Sequence, residues 1–186
     1  GAMEAIAALV ERGIVASLGH SNATLSDAVA ALDAGASMGT HLFNAMSGLG
    51  HRSPGLAAAL LLDDRVAFGI IADGQHVDPA MVRLAWQTAG ERMVLVSDAV
   101  APFGHSSEPV ARLSNGTLAG ATIGIDQCVR NLMAFAGADL ASAAAAASVR
   151  PRQVLGIESQ PKSWAEVDRD GIVRRTAING QVVFES

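Results

Sequence analysis

Short apolar runs alternate along the first half of the chain with longer segments whose apolar residues recur at helical spacing. Each short run is apolar almost throughout and is bounded by glycine or polar residues, which is typical of a buried strand. The longer segments predict amphipathic helices. In chain order, the strands are predicted at residues 14–20, 36–41, 66–72 and 93–98, and the helices at residues 3–12, 24–34, 56–62 and 78–89.

This series of four strand–helix units predicts an α/β fold with a parallel sheet. Strands that are apolar along their whole length indicate a sheet covered on both faces. In such folds the chemistry lies at the carboxyl ends of the strands. Those ends carry His20, His41, His76 and Asp98, and this recurrence of polar residues is the most informative feature of the sequence.

The organisation of the chain changes after the fourth predicted strand. A loop at 102–120 contains a hairpin-like turn, and two further helices are predicted at 125–135 and 140–148. In the alternating tail, Asn179-Gly180 separates two apolar runs, which is a strong hairpin signal. We therefore expect a small β unit appended to the β/α core.

Composition limits the classes of partner. The chain has 186 residues, half of them apolar, and its net charge of −5 disfavours the basic surface that nucleic-acid binding requires. The single cysteine, Cys128, excludes an internal disulfide framework and a zinc site built from cysteines. No apolar run is long enough to span a membrane, so we expect a cytoplasmic protein without a membrane partner. Gly1–Met3 is typical of a protease-cleavage scar left by expression.

His20 and His41 end two neighbouring predicted strands. A single histidine at such a place often only hydrogen-bonds the backbone. Two of them on adjacent parallel strands come within several ångströms of each other, because strands lie ~4.8 Å apart. Imidazoles suit Zn, Fe, Ni or Co, and a nearby carboxylate such as Asp98 suits a general base. Spacing alone leaves a metal site and a structural histidine pair equally open.

Three other polar residues each allow two interpretations. Asp98 could cap a following turn, although the sequence after it is a poor helix start. Arg52 lies in a glycine-flanked loop, where it is either a solvated surface residue or an anion clamp whose planar fork matches phosphate. Asn44 either caps its loop or contacts a ligand.

Several motifs resemble, in the same order, the signatures of the N-acetylglucosamine-6-phosphate deacetylases, a family of the amidohydrolase superfamily. The resemblance extends from about residue 4 to residue 157. The motifs are Gly19–Ala23, Thr40–Met46, Ile71–His76 and Val96–Ala99, followed by Leu118–Gly120 and Val129–Leu132.

The resemblance implies a fold. The family has a (β/α)8 barrel and a small β-sandwich built from both ends of the chain. By this likeness, residues 4–157 form the second half of such a barrel, and residues 158–186 form the C-terminal strands of the sandwich. Four strands are half of an eight-stranded barrel, which takes ~250 residues when complete.

The resemblance also implies a reaction, which is metal-assisted hydrolysis of the acetamido group of N-acetylglucosamine 6-phosphate to glucosamine 6-phosphate and acetate. A divalent metal such as Zn, Fe or Co and a homodimer are implied with it. By the same resemblance, His20 and His41 are metal ligands, Asp98 is the catalytic acid/base, and His76 contacts the acetamido carbonyl. Asn44 and Ala45 contact the sugar phosphate, and Leu118, Ala119 and Gly120 line the sugar pocket. Arg52 binds the 6-phosphate in the site of a neighbouring subunit.

The sequence departs from the family in ways that bear on activity. It contains no counterpart of the glutamate that completes the family's metal site, or of the early barrel strands. Ser53 stands where the family usually has a glutamate, and the segments at 98–116 and 160–167 differ from the family pattern. We therefore expect reduced metal affinity and impaired turnover. Two alternatives stay open, namely an amidohydrolase acting on a cyclic amide and a catalytically silent half-barrel that assembles with other chains.

Overall fold

A computed structural model describes residues 1–101, 103–105, 110–158 and 162–186. The elements alternate in the first half of the chain and segregate in the second. The helices are α1 (Ala2–Val10), α2 (Leu25–Asp33), α3 (Gly55–Leu62), α4 (Pro79–Ala89), α5 (Ile125–Ala136), α6 (Leu140–Ala147) and α7 (Val149–Val154). The strands are β1 (Ser17–Leu18), β2 (Met38–Gly39), β3 (Ala67–Ile70), β4 (Met93–Leu95), β5 (Val110–Arg112), β6 (Leu118–Ala121), β7 (Trp164–Val167), β8 (Val173–Ile178) and β9 (Gln181–Glu185).

The first four strands form one parallel sheet in the order β1-β2-β3-β4. Each connection between neighbours contains a helix, so the predicted α/β fold with a parallel sheet is confirmed. The strands are shorter than the sequence predicts, and β1 and β2 have two residues each. The ladders stop early because the backbone turns to positive φ at His20 and His41, where a strand cannot continue.

Close approach of helix and sheet depends on small residues. Every residue of α3 from Gly55 to Leu61 is buried, and the Leu60 side chain is completely inaccessible. It lies over Gly39 of β2 so closely that a Cβ at Gly39 would meet Leu60 Cδ1 at 2.5 Å. Glycine at this position therefore sets the distance between α3 and the sheet.

Arg92 lies at the end of the sheet opposite the strand-end histidines, where it bonds to backbone carbonyls. Its guanidinium donates to the carbonyl oxygens of Leu60, Leu61 and Val66 at 2.9, 2.6 and 2.6 Å. Two of these carbonyls belong to the last turn of α3, whose acceptors have no partner within the helix. Burial lowers the pKa of Arg92. The side chain thus ties α3 to the start of β3.

The second half of the chain matches the predicted organisation, with one addition. The turn predicted near residues 114–117 joins the antiparallel strands β5 and β6, although residues 102 and 106–109 of the predicted loop lie outside the described residues. Pro151, predicted just beyond a helix, lies instead within the extra helix α7, because proline is tolerated in the first turn of a helix.

The tail forms a separate three-stranded antiparallel sheet in the order β7-β8-β9. Asn179 and Gly180 connect β8 to β9 with φ values of 51° and 83°, as the hairpin signal predicts. Residues 159–161 of the predicted tail unit lie outside the described residues. None of the helices described is both long and apolar enough to cross a membrane.

The packing of α3 on the sheet predicts a sharp contrast between two leucines of one helix. Replacing Leu60, which is 0% exposed, by alanine should lower the free energy of unfolding by about 2–5 kcal/mol. Leu62 is 70% exposed, so Leu62→Ala should change it by less than about 0.5 kcal/mol. Urea denaturation of both variants checks this, and equal losses would contradict the burial assigned to α3.

Candidate active site

The parallel register of β1 and β2 brings His20 and His41 together. Ser17 pairs with Met38, 21 residues further on, and His20 and His41 have the same separation. The two histidines therefore occupy equivalent places beyond their strands. Their Nε2 atoms are 2.9 Å apart, and their rings meet edge to face with centroids 4.7 Å apart.

Left-handed backbone conformation marks the candidate site. His20, His41, Ala45 and Asp98 have φ values of 46°, 28°, 50° and 50°. Positive φ is uncommon in residues other than glycine and costs on the order of 1–3 kcal/mol per residue. Such strain persists only where the surrounding structure enforces it, and it clusters at functional sites. All four of these residues are among those predicted from the sequence as site residues.

Strand β6 holds the segment that carries Asp98. The backbone N–H of Ala121 donates to the carbonyl oxygen of Asp98 at 3.1 Å, and the N–H of Val100 donates to that of Ala121 at 3.2 Å. Gly120 has φ 149°, and a Cβ there would lie 2.7 Å from the Asp98 oxygen. Glycine is therefore required at position 120. Leu118 and Ala119 precede it in β6, so the structure brings this predicted group beside Asp98.

One cavity contains both an imidazole and the carboxylate. Its volume is about 250 Å³. Ser17 and Thr40 form part of its wall, and their hydroxyl oxygens are 2.6 Å apart. The lining residues are Ser17, Met38, Thr40, His41, Gly69, Val96 and Asp98. Residues of β1, β2 and β3 and residues that follow β2 and β4 thus line a common space, to which His41 brings an imidazole and Asp98 a carboxylate.

The donor set fits a divalent metal in part. Two imidazole nitrogens bound to one tetrahedral zinc lie about 3.3 Å apart, because each Zn–N bond is about 2.0–2.1 Å long. The observed separation of 2.9 Å between the His20 and His41 Nε2 atoms is a hydrogen-bond distance, so the two rings would have to move apart by about 0.4 Å to bind one zinc. Within the described ranges, no group of three or more histidine, cysteine, aspartate or glutamate residues could hold a metal. Catalytic zinc has three protein ligands, so these residues supply only part of a site.

His41 has a second ring nitrogen without a partner. Its Nδ1 is buried and makes no hydrogen bond to the part of the chain that the structure describes. The free ring nitrogen of a metal-ligating histidine normally donates to a carboxylate, a carbonyl or water. This unpartnered nitrogen is a second sign that the His20–His41 arrangement is incomplete.

His76 is paired with a residue that was not singled out from the sequence. Its Nδ1 lies 2.6 Å from Oδ2 of Asp73, and the two side chains are 6% and 0% exposed. Asp73 lies within the motif Ile71–His76 that resembles the family, but its local pattern, Asp73-Gly74 directly after an apolar run, also fits an ordinary turn. His76 does not line the cavity that contains Asp98.

Asn44 and Arg52 lie apart from that cavity. The Asn44 amide donates weakly to the carbonyl oxygens of His41 and Leu42 at 3.4 and 3.3 Å, so it caps its loop in this structure. Arg52 is exposed and lines a different cavity of about 850 Å³ between its loop and the start of α2. Ser47 lines the same cavity with a buried hydroxyl that has no hydrogen-bond partner in the described ranges.

Cys128 takes no part in the candidate site. It is buried in α5, and burial raises the pKa of its thiol to about 12. A thiol in this state is a weak nucleophile and a poor metal ligand.

The chain resembles known deacetylases over most of its length. No protein-family model matches it. It is 39% identical over 171 residues to the N-acetylgalactosamine-6-phosphate deacetylase of Escherichia coli O157:H7, covering 85% of this chain and 45% of that one. It is 36% identical over 211 residues to the human N-acetylglucosamine-6-phosphate deacetylase, covering 98% of this chain and 51% of the relative.

A solved structure of a deacetylase is also similar to this chain. An aspartate-to-alanine mutant of the Mycobacterium smegmatis N-acetyl-D-glucosamine-6-phosphate deacetylase, in complex with N-acetyl-D-glucosamine-6-phosphate, superposes with a TM-score of 0.92 at 37% identity. The match covers 98% of this chain and 55% of that one. Over nearly its whole length the chain is therefore homologous to the N-acetylglucosamine-6-phosphate deacetylases, and it spans about half the length of these relatives.

Proposed function

We propose that this chain takes part in the metal-dependent hydrolysis of N-acetylglucosamine 6-phosphate to glucosamine 6-phosphate and acetate. The observation that carries the proposal is the juxtaposition of the His20 and His41 Nε2 atoms at 2.9 Å beside a cavity that also contains Asp98. The homology to deacetylases of amino-sugar phosphates supports it. The relatives give no support to a cyclic-amide substrate or to a silent assembly module.

The proposed architecture is part of a (β/α)8 barrel. Four parallel strands follow one another in sequence order with a helix in every connection, which is the repeating pattern of such a barrel. Residues 4–157 would contribute these strands and the helices around them. Residues 158–186, which include the sheet β7-β8-β9, would contribute to a small β-sandwich.

The proposed chemistry divides between a metal and a base. His20 and His41 would hold a divalent cation such as Zn, Fe or Co, together with further donors from outside the described residues. When bound, the metal supplies Lewis-acid activation of the water and the amide carbonyl. Asp98 accepts the proton of the attacking water and donates a proton to the leaving amine. The backbone bonds between the Asp98 segment and β6 support this role, because they fix the position of the backbone that carries the carboxylate.

The remaining predicted residues serve substrate binding. His76 contacts the acetamido carbonyl, the pair Asn44 and Ala45 contacts the sugar phosphate, and Leu118–Gly120 lines the sugar pocket beside Asp98. Arg52 binds the 6-phosphate in the site of a neighbouring subunit of a dimer. The exposure of Arg52, on a cavity that shares no lining residue with the one around Asp98, supports a contribution to another subunit.

Acetate release tests the proposed reaction. Because the described residues supply two metal donors, we expect slow turnover by this chain alone. Fusing it to the part of the Mycobacterium smegmatis enzyme outside the matched region should raise turnover, measured with zinc or cobalt on the N-acetylglucosamine and N-acetylgalactosamine 6-phosphates. Asp98→Asn in the fusion should abolish it, because an amide cannot transfer the proton.

One outcome would exclude the proposed function, and a second would contradict the incomplete metal site. A folded fusion that releases no acetate from either epimer would exclude the deacetylase function. Turnover of the isolated chain equal to that of the fusion would instead show that its metal site is complete.

The role of Arg52 predicts a loss confined to phosphorylated ligands. Arg52→Ala should weaken binding of N-acetylglucosamine 6-phosphate about tenfold or more, because a hydrogen bond to a charged group contributes about 1.5–3 kcal/mol. Binding of unphosphorylated N-acetylglucosamine should not change. Isothermal titration calorimetry measures both affinities. Arg169→Ala, which removes the same charge from a side chain that is 93% exposed, is the matched control. Equal weakening of ligand binding by both variants would show that Arg52 contributes only its positive charge, and would contradict a direct contact with the phosphate.

A further inference from the structure

We propose that Asp73 is a positioning residue that fixes the proton of the His76 imidazole on Nδ1 and so presents Nε2 to the ligand. This rests on the proposed function only for the identity of that ligand. The hydrogen-bonding arrangement itself is a property of this chain and can be measured without turnover.

The Asp73 carboxylate is buried. Its side chain is 0% exposed, and an ionised carboxylate away from water is costly unless donors surround it. Two backbone donors and one ring nitrogen surround it. Oδ1 accepts the backbone N–H groups of Gln75 and His76, each at 2.8 Å, and Oδ2 lies 2.6 Å from Nδ1 of His76. The imidazole is thus one of the groups on which the buried carboxylate depends.

The chemistry of the carboxylate sets the direction of the hydrogen bond between the Asp73 and His76 side chains. An ionised carboxylate only accepts hydrogen bonds, so Nδ1 of His76 has to donate. In the neutral ring the proton is then on Nδ1, which leaves the lone pair on Nε2. In the charged ring both nitrogens carry protons. In either state, Nδ1 is committed to Asp73 and Nε2 is the ring nitrogen that can meet a ligand.

The backbone that leads to Asp73 is held firmly by buried residues and by α5. Asp73 follows Ile71 and Ala72, both completely buried beyond the end of β3. The Asn131 amide on α5 donates to the Ala72 carbonyl oxygen at 2.7 Å and accepts from Gln127 at 2.9 Å. Arg130 in turn donates to Gln127 at 2.7 Å. This chain of hydrogen bonds connects α5 to the residue directly before Asp73, so the carboxylate has little freedom to move away from the imidazole.

A purely structural role is the competing explanation, because Asp73 also forms the turn that leads to His76. The substitution Asp73→Asn distinguishes this structural role from the positioning role. The amide oxygen can still accept both backbone N–H groups, which keeps the turn. Its NH₂ group, however, donates towards Nδ1, so the ring has to present a lone pair there and carry its proton on Nε2. The substitution should therefore reverse the tautomer without removing the turn.

Long-range ¹⁵N–¹H correlation spectra of the imidazole rings test the proposal in the full chain. Loss of one signal set in His76→Gln assigns that residue among the five histidines. We expect a proton on Nδ1 of His76 in the unmodified chain and the Nε2–H tautomer in Asp73→Asn. Asp78→Asn is the matched control, because Asp78 is an exposed helix cap that asparagine replaces well, and it should leave the tautomer unchanged.

Two spectral results would overturn the proposal. The first is an Nε2–H tautomer in the unmodified chain, which decides the matter even where Asp73→Asn fails to fold. The second is retention of the Nδ1 proton in a folded Asp73→Asn variant.

A kinetic measurement in the active fusion extends the test to the reaction. Asp73→Asn should lower kcat/KM about 10–100-fold, the range typical of residues that orient a functional histidine, while Asp78→Asn does not. An unchanged kcat/KM in folded Asp73→Asn would overturn the positioning role. Absence of turnover in the unmodified fusion would exclude the proposed function and leave the spectral result standing.

Discussion

The candidate site depends on parallel pairing of β1 and β2 in a register that places His20 and His41 at equivalent positions. Each strand contributes only two residues to the ladder, so the pairing has little length over which to be fixed. The close contact of Leu60 with Gly39 supports it from the helix side. A shift of one residue would send the two histidines to opposite faces of the sheet.

Strain and packing balance each other at this edge of the sheet. His20, His41 and Asp98 adopt a left-handed backbone that residues with side chains avoid. The backbone bonds of β6 hold the Asp98 segment, and Leu60 of α3 packs on Gly39, two residues before His41. His41 and Asp98 line one cavity, and His20 contacts His41 beside it. These left-handed conformations lower the stability of the fold, so we attribute them to the function of the site.

Much of this could be predicted from the sequence, for identifiable physical reasons. Apolar runs that end in His20, His41 and Asp98 indicate a buried parallel sheet, and parallel topology then gathers the strand ends. The Asn179-Gly180 hairpin is also predictable, because these two residues by themselves favour the tight turn that joins the strands. The Asp73–His76 pair was not, because a turn aspartate has the same local pattern whether its carboxylate faces water or an imidazole. Arg52 was predicted as a candidate, but only the structure separates its cavity from that of Asp98.

The central claim is that His20 and His41 are two ligands of one metal ion. A crystal of the chain grown with zinc, with anomalous data collected on both sides of the zinc absorption edge, tests it directly. We expect an anomalous peak about 2.0–2.1 Å from Nε2 of both histidines, with the two nitrogens moved apart from 2.9 Å towards about 3.3 Å. A map with no peak at this pair, and with the two rings still hydrogen-bonded to each other, would contradict the claim.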